Sequence, residues 1–188
     1  LDTESPEVEC PGLGMIQVDV AYGGNFYAIV DRQSNYAGID AYPIDQLIAW
    51  SRILRNNINQ LKEFHHPENE TIKGCSHILW TGDVKDPSST ARNAVFYGDK
   101  AIDRSPCGTG TSARMAQWHH KGMLKSGDLF VHESVIGSKF IGRIESELDF
   151  HGRKSIRPSV EGWARMYGEN RITIDPEDDP YAYGFQVL

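Results

Sequence analysis

Residues 103–120 read DRSPCGTGTSARMAQWHH, and the character of the stretch changes in its middle. The first half is turn chemistry. Pro106 fixes the backbone, while Gly108 and Gly110 allow a sharp bend and a close approach by a ligand. From about Thr109 to His119 the residues favour a helix, with Ala113, Arg114, Met115, Ala116 and Gln117 in a row. Gly122 stops it. A helix that starts directly behind such a turn has first-turn N–H groups with no internal partners. They point out of the end where the macrodipole is positive, which makes a ready anion site. Thr109 and Thr111 are expected to add hydroxyl donors, and Cys107 stands at the mouth.

A thiol in that position has its thiolate form stabilised and lies beside any anion the N–H groups hold. For an amino acid held by its carboxylate, the nearest acidic proton is on Cα. The arrangement therefore points to Cys107 as a proton-transfer group at Cα. Asp103, four residues earlier, can receive a substrate ammonium or ring N–H. Blander readings stay open on these residues alone. Cys107 can be a buried structural thiol, the Gly/Thr run only a tight turn, and Asp103 a turn or cap residue. Cys107 can also be an acyl-transfer nucleophile with His77, His119, His120 or His132 as its partner. A Walker-type phosphate loop is excluded, because no Lys follows the last glycine.

Outward from this stretch, Ile16, Val18 and Val20 alternate with polar residues at strand period. Gly23-Gly24-Asn25 is a turn, and Phe26 to Val30 a second strand, so a β-hairpin is expected. Leu47, Ile48, Ile53, Leu54, Ile58 and Leu61 follow helical spacing, with Pro43 suited to the helix start and Asp40 or Asp45 as cap. This helix should run to about Phe64, with His65 to Glu68 as the loop that ends it. Further strands are expected at Cys75–Thr81, Asn93–Tyr97, Leu129–Glu133, Lys139–Glu145, Ser155–Val160, Trp163–Tyr167, Arg171–Ile174 and Gly184–Leu188. Asp175–Asp179, DPEDD, reads as a charged, solvated turn and not a metal site. His65-His66 and His119-His120 are expected to face solvent. The result is a β-rich α/β unit with two helices, without the strict βαβ alternation of a Rossmann sheet.

The chain has 188 residues, with 39% hydrophobic and 24% charged residues, an ordinary globular balance. A net charge of −7 argues against nucleic acid and anionic membranes as partners. There is no apolar run long enough for a transmembrane helix. Cys10, Cys75 and Cys107 make a low, odd count with no metal-ligand spacing, which fits reduced thiols in the cytoplasm. Oligomeric state is not readable; a homodimer is compatible with everything above.

AIDRSPCGTGTSARMA resembles the second active-site motif of the proline racemase superfamily, and within it the chain is most similar to the 4-hydroxyproline 2-epimerases. The resemblance extends over DVAYGGNFYAIVD (Asp19 to Asp31), HESVIGSKFIGRIE (His132 to Glu145), PSVEGWARMYG (Pro158 to Gly168) and the closing DPEDDPYAYGFQV. It implies a diaminopimelate epimerase-like α/β (α+β) fold, in which each of two lobes wraps a mostly antiparallel β-sheet around a central helix. It also implies cofactor-independent epimerisation at Cα of 4-hydroxyproline by two cysteines, one on each face. Carried over by position, Cys107 is one catalytic thiol. Gly108 and Thr109 hold the carboxylate through backbone N–H groups, Asp103 meets the ring nitrogen, and His77 is a pocket histidine. A cysteine and not a threonine at 107 favours an epimerase over the related 3-hydroxyproline dehydratases. Proline racemase is the near alternative, and a non-catalytic amino-acid-binding lobe the alternative from another class. The family's first cysteine lies in a Met-Cys-Gly-His motif that does not occur here. On that ground residues 1–175 are expected to form the second, C-terminal lobe, with 176–188 a tail that returns to the first. The chain alone, holding one base, is expected to be inactive.

Overall fold

The computed structural model describes residues 5–184. A first hairpin joins β1 (Glu7–Cys10) to β2 (Gly14–Gln17), turning at Pro11-Gly12. The expected hairpin follows as β3 (Asp19–Tyr22) and β4 (Phe26–Val30), antiparallel, with Tyr22 opposite Phe26 across the Gly23–Asn25 turn. A 3-10 turn (Ile39–Ala41) leads to helix α1 (Ile44–Leu61). The helix buries Leu47, Leu54 and Ile58 as the spacing predicts, together with Trp50, while Leu61 at its end stands exposed. Its N-cap is Pro43, with no side-chain cap. Neither Asp40 nor Asp45 serves as cap, because Asp40 is taken by the buried Arg92 guanidinium at 2.5 Å. His65 and His66 are not simply loop: they form β5 (His65–His66), which pairs with β6 (Asn69–Lys73).

The remaining elements are β7 (Cys75–Gly82), β8 (Ala91–Tyr97), β9 (Ala101–Ile102), helix α2 (Gly108–His120), β10 (Phe130–Ser134), β11 (Lys139–Phe150) and β12 (Arg153–Glu161). One sheet has the order β12-β11-β10-β8-β7-β4-β3, with β9 attached to β8. Five of its seven pairings are antiparallel; β4–β7 and β8–β10 are parallel. Each parallel pair is spanned by a helix, α1 between β4 and β7 and α2 between β8 and β10, as parallel neighbours require.

Strand alternation sends successive side chains to opposite faces. Ala28, Val30, Ile78, Trp80, Ala94 and Phe96 join the core under α1. Their neighbours Tyr27, Ile29, Leu79 and Val95 pack with Ala113 of α2 on the other face. Helix α2 touches β3 and β4 at one end of the sheet and β11 and β12 at the other, so the sheet curls around it. Polar groups pin it from one side. Arg114 meets Asp31 at 2.5 Å, and Gln117 donates to Asp31 at 2.9 Å and also to Asp19. Lys121 reaches Asp19 at 2.5 Å. Burial opposes charge on Asp19, but hydrogen bonds from Lys121, Ser5 and Gln117 hold its carboxyl below the usual range.

The sheet ends at Glu161. The expected strands Trp163–Tyr167 and Arg171–Ile174 are not formed, and residues 162–184 carry no helix or strand. A short apolar segment becomes a strand only where it finds an edge to pair with and a face to bury. Here Trp163, Met166, Tyr167 and Ile172 stand exposed instead. Asp175–Asp179 does turn, with the Asp179 N–H donating to the Asp175 carbonyl. The expected closing strand lies outside the described residues beyond Gly184.

Candidate active site

The loop between β9 and α2 is built by short-range polar contacts. The Asp103 N–H donates to the Val95 carbonyl at 2.8 Å. Asp103 Oδ1 accepts from the Ser105 N–H and hydroxyl at 2.8 and 2.9 Å, the Asx-type turn its sequence favours. Ser105 Oγ in turn accepts from the Cys107 N–H at 3.0 Å. Asn93 on β8, fully buried, donates to the Pro106 carbonyl at 3.2 Å. Beyond Pro106 the backbone of Cys107 takes φ 67° and ψ 120°, a conformation that L side chains rarely adopt. The Cys107 carbonyl accepts from both the N–H and the hydroxyl of Thr111, at 2.7 Å each, which opens α2.

No side chain caps α2. The N–H groups of Gly108 and Thr109 have no acceptor among the described residues, and they face outward at the positive end of the helix. A Cβ at Gly108 would meet nothing within 4 Å, so the space in front of the helix end is open. The β3–β4 turn closes the other side. A Cβ on Gly23 would collide with the Thr109 carbonyl and lie 2.5 Å from the Ala113 nitrogen. Glycine there lets the turn rest directly on the first turn of α2.

The thiol points toward β4. Cys107 Sγ lies 3.2 Å from Tyr27 Oη, which lies 2.6 Å from Thr109 Oγ1. The Tyr27 ring packs against His77 with centroids 4.8 Å apart. His77 Nδ1 is 2.6 Å from Ser76 Oγ. Burial lowers the His77 pKa, the Arg55 charge lowers it further, and Asp103 acts weakly the other way, so the imidazole is neutral near pH 7.

Three of the five residues singled out in the sequence, Cys107, Thr109 and His77, thus touch Tyr27, and Gly108 lies between the first two in the chain. Asp103 joins them through Ser105 and through its electrostatic influence on both Tyr27 and His77. Two expectations need correction. The hydroxyls of Thr109 and Thr111 do not serve the anion site, because Thr109 is engaged by Tyr27 and Thr111 by the Cys107 carbonyl and His132 Nδ1 (2.9 Å). His119 does not face solvent. It is buried, with Nδ1 3.1 Å from the Leu124 carbonyl. Nothing in the sequence marks Tyr27 or Ser105 as part of the site; alternation along β4 places Tyr27 on the α2 side, but not what it meets there.

The other two thiols are of a different kind. Cys10 and Cys75 are buried in the core under α1, and burial pushes them up to about 11 and about 12. A cleft of about 450 Å³ runs beside α2 between Tyr22, Phe26, Ala116, His119 and Phe150, but Cys107 is not in its wall. Among the described residues no three His, Cys, Asp or Glu side chains converge as a metal site. No helix there is long and apolar enough to cross a membrane. What the site offers is a half-buried thiol, two free backbone donors beside it, a carboxylate and a neutral imidazole.

Comparison with known proteins points to one group. The proline racemase family model matches residues 1–186. A 4-hydroxyproline 2-epimerase of Spirosoma linguale is 61% identical over 188 residues, all of this chain and 56% of that protein. A 4-hydroxyproline epimerase of Brucella ovis is 62% identical over 187 residues, again 56% of its length. The chain therefore spans a little over half the length of these relatives. A crystal structure of a hydroxyproline epimerase from Agrobacterium vitis, with bound trans-4-hydroxy-L-proline, superposes with a TM-score of 0.79 at 32% identity. It covers 97% of this chain and 52% of that one. A probable proline racemase from Agrobacterium radiobacter, with bound carbonate, gives a TM-score of 0.78 at 31% identity, over 97% of this chain and 53% of that one.

Proposed function

The chain belongs to the proline racemase family, and on that premise we propose that the whole protein interconverts trans-4-hydroxy-L-proline and cis-4-hydroxy-D-proline without a cofactor. The observation that carries the reading is Cys107 Sγ at the open N-terminus of α2, beside the free N–H groups of Gly108 and Thr109. The substrate carboxylate sits on those N–H groups, which places Cα next to the thiol. In one direction the Cys107 thiolate removes the Cα proton. The Cα–H bond breaks, an S–H bond forms, and the electron pair spreads into the carboxylate, where the helix end stabilises the added charge. A second thiol delivers a proton to the opposite face, so the two sulfurs exchange protonation states. In the reverse direction Cys107 is the acid.

That second thiol is not Cys10 or Cys75, both buried under α1 on the far face of the sheet. It belongs to the part of the protein that the longer relatives have beyond this length, and this chain forms the Cys107 lobe. Asp103, with Oδ1 held by Ser105, offers its other oxygen to the ring nitrogen. His77 supplies the polar contact for the 4-hydroxyl. A site built to bond a hydroxyl discriminates against an analogue that lacks it, because its own polar group is then left unpaired. Three unpaired cysteines support a reducing compartment, the cytoplasm.

Optical rotation of trans-4-hydroxy-L-proline incubated with the full-length protein tests the assignment. Conversion to the cis-D epimer, with kcat/KM well above that for proline, is expected. Equal or faster turnover of proline would assign a proline racemase, the reading favoured by the Agrobacterium radiobacter likeness. No turnover of either would remove the proposal.

A further inference from the structure

Resting on the proton-transfer role given to Cys107, we infer that Tyr27 is a positioning residue whose phenol stabilises the thiol in both of its protonation states. Its Oη bridges Cys107 Sγ at 3.2 Å and Thr109 Oγ1 at 2.6 Å, while Sγ and Thr109 Oγ1 are 3.8 Å apart. The phenol is therefore the middle member of the group.

All three groups can donate and accept. Two hydrogen arrangements satisfy them. With a thiolate, Thr109 Oγ1–H donates to Tyr27 Oη and Tyr27 Oη–H donates to the sulfur. With a thiol, S–H donates to Tyr27 Oη and Tyr27 Oη–H donates to Thr109 Oγ1. Apart from the proton on sulfur, the two differ only by rotation of hydroxyl hydrogens, with no heavy atom moved. An epimerase needs such a device, because its thiol is the base in one direction and the acid in the other. A group that favoured only the thiolate would speed one direction's start and slow its reverse.

The phenol stays out of the proton transfer itself. Burial raises its pKa far above the ordinary tyrosine value, and the neighbouring Cys107 and Asp103 charges raise it further, so it keeps its proton. Its ring is fixed by burial and by the His77 face. Phenylalanine would fill the same space without the hydrogen bond.

The test compares full-length wild type with Tyr27→Phe. Iodoacetamide alkylation of Cys107 is followed by peptide mass from acid to alkaline pH, and kcat and KM are measured in both directions. Of the two arrangements the bond to the charged sulfur is the stronger, because a thiol is only a weak donor, so losing the phenol should move the alkylation profile about one pH unit upward. On the limb below its midpoint the profile then runs about tenfold slower, with the alkaline plateau kept. Both kcat values should fall by a similar factor, with KM within about twofold. An alkylation profile unchanged in Tyr27→Phe overturns the inference, whatever happens to turnover. Should Tyr27→Phe not fold, Thr109→Val is expected to shift the profile the same way and Thr109→Ser to keep it; no shift in Thr109→Val overturns the inference equally. Alkylation needs no substrate, so an inactive wild type would sink the proposed reaction while this result still decides the role of Tyr27.

Discussion

Cys107→Gly should make the full-length protein more stable than Cys107→Ala, although both variants lack the thiol. The reason is the backbone of residue 107, at φ 67° and ψ 120°. A non-glycine residue held in such a sparsely populated region costs about 1–3 kcal/mol. Glycine relieves that cost but leaves a freer unfolded chain, which returns about 0.4–1 kcal/mol. The net advantage of glycine over alanine is then roughly 0.5–2 kcal/mol, or a few degrees in Tm for a domain of this size. The conformation is imposed from outside the residue. Ser105 holds its N–H, Thr111 holds its carbonyl, and Asn93 holds the carbonyl before it. The strain aims the sulfur at Tyr27 and the open helix end, so stability is given up for direction. Thermal unfolding of the two variants side by side is the assay. A Tm for Cys107→Gly at or below that of Cys107→Ala would refute the idea that the backbone sets the direction of the thiol.

Two further outcomes follow from the packing around α2. Gly23→Ala puts a Cβ against the Thr109 carbonyl and 2.5 Å from the Ala113 nitrogen, both backbone atoms that cannot swing aside. An overpacking cost of about 1–3 kcal/mol is expected, seen as a lower Tm together with a loss of kcat/KM; unchanged values of both would contradict the close approach. His132 is fully buried and its pKa is pushed down to about 3 by burial, with Arg114 adding to the effect. The unfolded chain binds a proton there near its ordinary pKa of about 6.5 and the folded protein does not. Stability from this residue is therefore complete above that value and is lost as pH falls toward 3, at up to about 1.4 kcal/mol per pH unit. Urea unfolding at a series of pH values should show a shallower acid limb in His132→Gln, and an equally steep one would contradict it.

Much of this framework could be read from the chain. Periodicity placed α1, with Leu47, Leu54 and Ile58 inside as expected. Turn chemistry at Gly23–Asn25 marked the β3–β4 hairpin, and the change of composition after Cys107 marked α2 to within a residue at each end. The role expected of His77 rests on family resemblance alone, whereas that of Asp103 is suggested by its place four residues before the thiol, to which the resemblance adds the ring nitrogen. Other features depend on partners distant in sequence. Tyr27 meets a thiol 80 residues away, and the parallel β4–β7 pairing, continued by the antiparallel β7–β8 pairing, brings β4 near the α2 start. Asp40 reads as a helix cap until Arg92, 52 residues on, claims it. His119 reads as a surface residue because its covering loop, at Leu124, lies past the helix end. Residues 163–174 have strand composition but pair with neither edge strand of the sheet, β3 or β12.

The proposed reaction has Cys107 move the Cα proton. Its most direct test is solvent deuterium incorporation at Cα of 4-hydroxyproline, with full-length wild type and Cys107→Ser compared in deuterium oxide. The expected result is one deuterium in each molecule epimerised by wild type, and no epimerised, labelled product above background with Cys107→Ser. Absence of label with wild type, or label and epimer formed at the wild-type rate by Cys107→Ser, would contradict it.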